Sequence, residues 1–318
     1  MTTPNPTPRI LLRNLADTVV LNPKTQRPRR ISPATAKNYY TAQSRLIEFF
    51  SADRDATTIE PGELWDWQEH LNEKYANPVT SNTYRRTVRA MWNYLRKAGH
   101  NVCSIDDVFE MKKESKKVKA VNDVNYWRLM ASSGIQDAAM AALLADSGMR
   151  RGGLHDMRIS KTEIWRDEET GELGLATVVT EKGDIQHVKF GLHLSASLVS
   201  AWLDIRKHFL AALSCADHDF VWIATDSGRH MSYETIGDVF DRLKIRAKVP
   251  KHEPANPHSF RHHFAIKRLL SGMPYPILSK LMGHANISTT EIYLTTAEDT
   301  NREMFFDKLF RPDYNFKT

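Results

Sequence analysis

Cysteine is scarce in this 318-residue sequence, which has only Cys103 and Cys215, and the opening MTTPNPTPRI has no charged head followed by an apolar stretch. Two cysteines do not build a disulfide framework, and such an opening is not that of a secretion signal. Long apolar runs are also missing, because none approaches the roughly 20 residues that a bilayer-crossing helix needs. These absences exclude a disulfide-rich secreted protein and an integral membrane protein, and they predict a cytoplasmic protein.

Positive charge is concentrated in the N-terminal part of the chain. Residues 1–120 contain 20 Lys and Arg against 13 Asp and Glu, a net charge of +7, whereas the remaining residues contain 24 against 25, a net charge of −1. The chain is about twice the commonest domain length, so we expect two domains. A basic region is typical of a polyanion partner, with nucleic acid as the leading candidate, and a solvated surface is the alternative that charge alone leaves open.

The N-terminal half has the pattern of an all-helical domain that follows an arm. Residues 1–30 are rich in Pro, Thr and Arg without sustained apolar periodicity, which predicts a flexible arm. Ser32 followed by Pro33 is typical of a helix start, since Ser caps the free amides of the first turn and Pro fits its first position. Helical periodicity then covers three segments, which are 33–50, 61–75 and 81–97. We therefore predict a helical domain at 31–110.

Two groups of basic side chains in this half are candidates for contact with DNA. In the third helix Arg85 and Arg89 are four residues apart and share a face, with Arg86 beside them, although a plain solvated face would look the same. The segment MKKESKKVKA has five lysines and little to bury, which predicts a basic linker at 111–121. The lysines of this linker that we assign to DNA contact are Lys112, Lys113, Lys116 and Lys117.

The second half, 122–318, has a mixed pattern. Two β-rich runs at 176–180 and 185–190 flank a turn containing Gly and Asp, which predicts a hairpin. Helices are predicted near 136–147, 194–213, 232–247, 258–271, 274–282 and 287–294. A C-terminal tail helix is predicted from an apolar stripe, which consists of Met304, Phe305, Phe306, Leu309 and Phe310. The expected fold is multidomain and mainly α, with an all-α N-terminal domain and an α+β domain that holds a small antiparallel sheet.

Several residues of the second half could act on a phosphate, and each alone has an ordinary explanation. Arg150 directly follows a helix that ends at Gly148, where a surface arginine is commoner than a functional one. Lys182 lies at the hairpin turn, where most lysines are only solvated. Gly283 and His284 precede Tyr293, and most tyrosines are structural.

A predicted helix start supplies the best anion site. Asn256 is a cap and Pro257 a first helical residue, so His258 falls in the first turn and Arg261 lies three residues on. The free N–H groups and dipole of a helix N-terminus attract anions, and the guanidinium and imidazole add to this attraction. Histidines in this segment also raise the possibility of zinc, but the sequence has no HExxH motif, Cys pair or nearby carboxylate to support it. We therefore predict no metal.

Taken in order, these residues resemble the signature of the tyrosine recombinases, the phage-integrase family that includes the Xer and Cre proteins. The matching positions are Arg150, Lys182, His258-x-x-Arg261, Gly283-His284 and Tyr293. The spacing is similar as well, with 23 residues from Arg261 to His284 and nine from His284 to Tyr293. SPATAKNYYTAQSRLIEFF looks like the opening helix of the family's core-binding domain, which has a SAM-like fold, so the resemblance covers residues 30 to 310.

The resemblance implies a site-specific recombinase that cleaves and rejoins DNA through a 3′-phosphotyrosine without metal, ATP or other cofactor. Tyr293 would attack the phosphate and free a 5′-hydroxyl, and Arg150 and Arg261 would hold the non-bridging oxygens. His258 would accept the tyrosine proton and Lys182 would protonate the leaving oxygen. His284 would bind the phosphate or orient the tyrosine. Residues 31–110 would then be the core-binding domain and 122–318 the catalytic domain.

The implied partners are double-stranded DNA and further recombinase subunits, as a homotetramer on two DNA sites or with a related recombinase, in the nucleoid of the cytoplasm. Two alternatives stay open. A type IB topoisomerase-like enzyme would use the same residues to relax supercoils, and a non-catalytic DNA-binding protein could share the fold. The sequence also departs from the family pattern at two places. The carboxylate usual three residues after Arg150 is replaced by Gly153, and a histidine frequent two residues after the tyrosine is replaced by Thr295.

Overall fold

The computed structural model describes residues 9–21, 31–113, 118–181, 185–284, 286, 289–294 and 296–297. These residues are mostly helical, and the chain divides into two compact units, Met1–Ser115 and Lys116–Thr318. A small antiparallel sheet lies in the second unit, so the predicted fold class is confirmed. Among the described residues, no helix is both long enough and apolar enough to cross a membrane.

The first unit is a bundle of helices, which are α1 (Leu15–Val20), α2 (Pro33–Phe50), α3 (Pro61–Lys74) and α4 (Pro78–Lys97). Proline occupies the first position of α2, α3 and α4, where its missing N–H costs no hydrogen bond. The side chain of Ser32 caps α2 by accepting a hydrogen bond from the amide of Thr35, as predicted. Trp67 of α3 and Trp92 of α4 are fully buried at the centre of the bundle.

The predicted flexible arm is wrong for residues 9–21, the part of 1–30 that the structure describes. Leu12, Leu15 and Val19 are buried in the core of the first unit, and α1 packs against α2. The amide of Ile10 donates a hydrogen bond to the carboxylate of Asp55, which ties the chain to the bundle. Apolar residues at a spacing of three and four mark one face of a helix, and the abundance of Pro, Thr and Arg hid this short pattern.

The second unit contains α5 (Asp123–Ala131), α6 (Ile135–Ser147), α7 (Arg151–Asp156), α8 (His193–Ala212), α9 (Tyr233–Arg246), α10 (Pro257–Leu270) and α11 (Tyr275–Met282). A further short helix is described at 289–294. The mainly apolar α6 is buried on nearly every side because it contacts α8, α10 and the sheet. α6 therefore forms the centre of the unit, and its C-terminal end leads into the site described below.

The sheet has three antiparallel strands in the order β1 (Thr162–Arg166), β2 (Leu173–Glu181) and β3 (Ile185–Gly191). The predicted hairpin corresponds to β2 and β3, with Val178 opposite Val188. β1 was not predicted, because its five residues are mostly exposed and carry no run of apolar side chains. Along β2, buried residues alternate with partly buried ones, and the strand ends at the buried Glu181.

Candidate active site

The C-terminal end of α6 places Arg150. Gly148 ends the helix with a φ of 60°, a left-handed conformation that favours glycine. A Cβ at this position would lie 2.3 Å from the ring of Phe264, so glycine also allows α10 to pack closely. Two residues later Arg150 is the N-cap of α7, and its side chain keeps 30% exposure. The tight turn therefore places Arg150 where its guanidinium stays partly exposed.

Arg261 lies one turn inside α10. Asn256 caps this helix by accepting a hydrogen bond from the amide of Ser259, and Pro257 is its first residue, as predicted. The side chain of Arg261 is buried at 2% exposure and donates hydrogen bonds to the carbonyls of Gly148 and Met282. Burial lowers the pKa of Arg261 to about 10, and the nearby charge of Arg150 acts in the same direction. The guanidinium remains charged at neutral pH.

The two guanidiniums cap helix ends. Arg261 donates to the carbonyl of Met282, the last residue of α11, and Arg150 donates to the carbonyl of Gly283 at 3.1 Å. The last carbonyls of a helix lack partners within the helix and carry its negative dipole end, so they suit a cation. Each guanidinium has five N–H donors and uses only part of them in these bonds. Donors therefore remain for a bound anion.

Tyr293 is buried at 3% exposure beside α10 and α11, in a cluster with Phe264, Leu278 and Met282. Its hydroxyl oxygen lies 2.8 Å from Nδ1 of His262, which is within hydrogen-bond distance. Burial raises the pKa of Tyr293, although the charges of Arg261 and Arg150 oppose that effect. The hydroxyl is therefore protonated at neutral pH in this arrangement.

His284 follows the left-handed Gly283, which ends α11 with a φ of 64°. Nδ1 of His284 lies 2.7 Å from the hydroxyl oxygen of Thr290, and its ring is parallel to that of Tyr293 with the centroids 6.4 Å apart. Burial, followed by the charges of Arg261 and Arg150, lowers the pKa of His284 to about 4. This imidazole is therefore neutral at pH 7.

Glu181, the last residue of β2, places a carboxylate with no exposed side-chain surface in the site. It accepts a hydrogen bond from the amide of Arg150 at 2.8 Å and forms an ion pair with the Arg150 guanidinium. Nζ of Lys189, which is also buried, lies 3.8 Å from Glu181 and donates to the carbonyl of Leu281 at 2.7 Å. Three cations, Arg150, Lys189 and Arg261, surround one carboxylate, which leaves two positive charges when Lys189 is protonated.

The buried charges of this pair affect each other. Burial alone raises the pKa of a carboxyl, but the charge of Lys189 and the amide of Arg150 outweigh it, so the pKa of Glu181 is lowered. Burial lowers the pKa of Lys189 to about 8, although Glu181 opposes that effect. Both groups are therefore mainly charged at pH 7.

Comparison with known proteins decides the family. The model of the phage integrase family matches residues 113–300, which is more than half of the chain. The chain belongs to the phage integrase family. The tyrosine recombinase XerC of Shewanella sp. (strain ANA-3) is 24% identical over 274 residues, which cover 84% of this chain and 86% of that protein. XerC of Mannheimia succiniciproducens is 30% identical over 160 residues, which cover 50% and 48%.

Solved structures of other recombinases share the fold. The XerH recombinase in a post-cleavage complex with palindromic difH DNA has a TM-score of 0.67 at 15% identity and covers 85% of this chain and 79% of that one. A λ integrase (75–356) dimer bound to a COC′ core site has a TM-score of 0.68 at 15% identity, with 89% and 95% covered. The matched regions cover 85% and 89% of this chain, so the shared fold includes residues of both units.

Most of the residues expected from the integrase signature lie together in the second unit. Arg150, Arg261, His284 and Tyr293 are linked by the contacts above, and His258 lies at the edge of this group. Lys182 falls outside the described residues, as do Thr295 and the predicted tail helix. In the described ranges no group of three or more His, Cys, Asp or Glu is arranged to hold a metal ion.

His258 does not contact Tyr293 in this structure, contrary to the expectation that it receives the tyrosine proton. His262, one turn later in α10, occupies that position, and the ring of His258 packs against His262 with centroids 4.2 Å apart. Two imidazoles four residues apart share a helix face, so spacing alone does not say which of them reaches the hydroxyl. Glu181 and Lys189 were also missed, although a usable signal was present, because Lys189 lies within the predicted run 185–190 and Glu181 directly follows the predicted run 176–180.

Of the arginines expected to contact DNA, Arg85 is wrongly assigned. It is fully buried and donates hydrogen bonds to the side chain of Asn82, at 2.8 Å, and to that of Asn72. Arg89 is partly buried and donates to the carbonyl of Phe109 at 3.1 Å, whereas Arg86 is exposed. Val88 and Trp92, three and seven residues after Arg85, lie on the same buried face, and this spacing places Arg85 inside.

The predicted linker is described only in part. Lys112 and Lys113 are exposed, and the backbone of Lys112 exchanges two hydrogen bonds with the side chain of Asn82. Lys116 and Lys117 lie outside the described residues.

The partly buried His262 should make stability depend on pH. Burial, followed by the charges of His258, Arg261 and His284, lowers the pKa of His262 from 6.5 to about 4. As the pH falls from 6.5 toward 4, the unfolded chain therefore binds protons that the folded chain does not, and the free energy of unfolding decreases. Urea unfolding at pH 7, 6 and 5 should show a smaller decrease for His262→Gln than for the wild type. The exposed His208 provides the control His208→Gln, and an equal decrease in all three proteins would contradict the assignment.

Proposed function

We propose that this recombinase cleaves DNA by attack of Tyr293 on a phosphodiester, which forms a 3′-phosphotyrosine and a free 5′-hydroxyl. Arg150, Arg261 and His284 lie near Tyr293 in a region with excess positive charge, and this grouping is the observation that carries the proposal. The covalent ester keeps the energy of the broken bond, so the strand can be rejoined to a new partner without ATP. Membership of the phage integrase family supports site-specific recombination over a topoisomerase-like activity or simple DNA binding.

Arg150 and Arg261 bind the two non-bridging oxygens of the phosphate in this proposal. Their guanidiniums are held by consecutive carbonyls, those of Gly283 and Met282, so both are fixed before DNA arrives. Charge that develops on the phosphate in the transition state then meets donors that need no rearrangement. Planar forked donors suit this task better than lysine would.

The proton of Tyr293 passes first to His262. The imidazole is neutral at pH 7 and lies at hydrogen-bond distance from the hydroxyl, which are the two requirements of a proton acceptor. His258, exposed at the start of α10 and packed against His262, is placed to release the proton to solvent. His284 binds the phosphate or orients Tyr293. Lys182 protonates the leaving 5′-oxygen, a role that rests on the sequence signature.

Residues 31–110 form the core-binding domain in this proposal, with residues 122–318 as the catalytic domain and the basic linker of residues 111–121 against the DNA backbone. Arg86, Lys112 and Lys113 are exposed in the described structure, as contact with phosphates requires, and Lys116 and Lys117 extend the same run in the sequence. Arg89 contacts phosphates only through the N–H groups that do not donate to the carbonyl of Phe109. We infer that an enzyme with this DNA substrate acts at the nucleoid in the cytoplasm.

A tetramer on two DNA sites, of this chain alone or with a related recombinase, completes the proposal. Exchange between two duplexes requires two cuts in each, and one protomer holds one Tyr293. Solved relatives include a λ integrase dimer on a core site, which supports assembly on DNA. Light scattering of the complex with two duplexes should give the mass of four protomers.

Covalent trapping tests the function. A pool of random-sequence duplexes is first selected for binding, and the selected site is then made with a nick beside the cleavage position so that the short product diffuses away. We expect a detergent-resistant adduct whose peptide carries the DNA 3′-phosphate on Tyr293, formed equally in EDTA because arginines supply the positive charge. Two labelled duplexes should also yield strands of new length.

An adduct on another residue, or cleavage that needs Mg²⁺ or Zn²⁺, would overturn the mechanism. Relaxation of supercoiled DNA without any strand of new length would favour the topoisomerase-like alternative.

A further inference from the structure

The segment after Arg150 lacks an acidic residue at the position where the family usually has one. Gly153 stands there, within α7, and it is buried. A Cβ at Gly153 would lie 3.0 Å from a methyl group of Val179 and 3.1 Å from a carboxylate oxygen of Glu181. A Cβ at position 153 would therefore be crowded by Val179 and by the carboxylate of Glu181, which reaches this point from the end of β2.

Glu181 holds Arg150 at two points. One carboxylate oxygen accepts from the backbone amide of Arg150 at 2.8 Å, and the other contacts its guanidinium. The amide fixes where α7 begins, and the guanidinium fixes the direction of the side chain. Because both contacts come from one rigid, buried group, the rotamers open to Arg150 are restricted before any ligand binds.

The positive charge of Lys189 offsets the unfavourable burial of the Glu181 carboxylate. An ionised carboxylate without exposed surface is unfavourable unless it is paired and hydrogen-bonded. Nζ of Lys189 lies 3.8 Å from Glu181 and is itself fixed by the carbonyl of Leu281. Lys189 is opposite Thr177 on the central strand of the sheet, so the pair is built into β2 and β3.

We propose that Glu181 is the positioning residue for Arg150 and supplies, from the end of β2, the carboxylate that the family usually has three residues after this arginine. The absence of a side chain at Gly153 then leaves space for the carboxylate of Glu181. This inference rests on the proposed function, because it assigns to Glu181 the task of aiming a phosphate-binding guanidinium. It also ties Arg150 to the strand that leads directly to Lys182 in the sequence.

Three variants test the role of Glu181 on the nicked duplex of the selected site. Glu181→Gln keeps the size but removes the charge. It should slow covalent attachment at saturating protein by about 10- to 100-fold, by analogy with the loss of carboxylates that orient metal-binding side chains. The exchange variant Gly153→Glu with Glu181→Gly should recover most of that loss. Glu163→Gln, at an exposed position of β1, is the matched control and should attach at the wild-type rate.

A methylphosphonate at the cleavage position shows whether Glu181 acts through Arg150. This substrate has lost the charge of one non-bridging oxygen, so it depends less on a well-aimed guanidinium. The deficit of Glu181→Gln should therefore shrink on it, and an equal deficit on both substrates would contradict action through Arg150. Should the exchange variant fold poorly, adding Val179→Ala removes the close methyl group.

Hydrogen exchange of the Arg150 guanidinium, followed by ¹⁵N NMR on the free protein, tests the positioning without any reaction. We expect slow exchange in the wild type and fast exchange in Glu181→Gln. Equal hydrogen-exchange rates of the Arg150 guanidinium in both proteins would overturn the proposal for Glu181. A wild-type attachment rate in Glu181→Gln would also overturn it. Failure of the wild type to form any adduct would instead count against the proposed function, and the exchange measurement would still decide the role of Glu181.

Discussion

Replacing Tyr293 by phenylalanine should abolish covalent attachment to DNA while binding to the selected site stays nearly unchanged. Only the hydroxyl oxygen is lost, and it is the atom that forms the ester. The ring keeps its place among Phe264, Leu278 and Met282, and the lost hydrogen bond to His262 costs about 1 kcal/mol of stability. Detergent-resistant adducts on the nicked duplex and gel-shift titrations would be measured side by side.

Tyr275 offers the matched control for this experiment. It lies in the first turn of α11, in the same unit but outside the group around Arg261, and Tyr275→Phe should retain full attachment. An adduct that persists in Tyr293→Phe would reject Tyr293 as the nucleophile, and loss of attachment in Tyr275→Phe alone would assign that role to Tyr275.

Replacing Arg261 by glutamine should slow the formation of the adduct by about 10²- to 10³-fold, the usual cost of removing one fixed donor to a developing oxyanion. Glutamine can still donate to one of the two carbonyls, those of Gly148 and Met282, so the helix ends keep part of their capping. The change therefore removes the positive charge with less damage than alanine would cause. The rate is measured at saturating protein, so weaker DNA binding does not enter it.

Arg268, two turns later in α10, provides the control. Its guanidinium lies over the ring of Phe264 rather than in the site, and Arg268→Gln should react at the wild-type rate. Thermal unfolding of both variants separates lost chemistry from lost structure. A rate for Arg261→Gln within a few-fold of wild type would show that this guanidinium does not bind the reacting phosphate.

Local signals in the sequence predict the helix ends that build the site. Ser32 and Asn256 act as caps, and Gly148 ends α6, because each depends only on the hydrogen bonds and backbone angles of its own turn. The order and spacing of the family signature then predict which residues meet. These features need no knowledge of how distant elements pack.

Contacts between distant residues account for what the sequence did not predict. Glu181 lies 31 positions from Arg150, and its partner is decided by how β2 packs on α7. His262 rather than His258 meets Tyr293 because the rotation of α10 is set by its apolar neighbours. The charge of Arg85 favours a surface position, but the spacing of the buried residues of α4 places it inside the bundle.

The arrangement of Gly153 and Glu181 also constrains how such a site can arise. An acidic side chain at position 153 would crowd Glu181 and place a second carboxylate beside it, so having both acids is less favourable than having one. A lineage that moves the acid from position 153 to position 181 by single substitutions passes through an intermediate with either no acid or two acids. In the first case Arg150 lacks its carboxylate partner, and in the second the surroundings of Arg150 are crowded. Relatives descended from such a change will score poorly on any signature that demands an acid three residues after the arginine. A signature that accepts an acid at either of the two positions would identify these relatives.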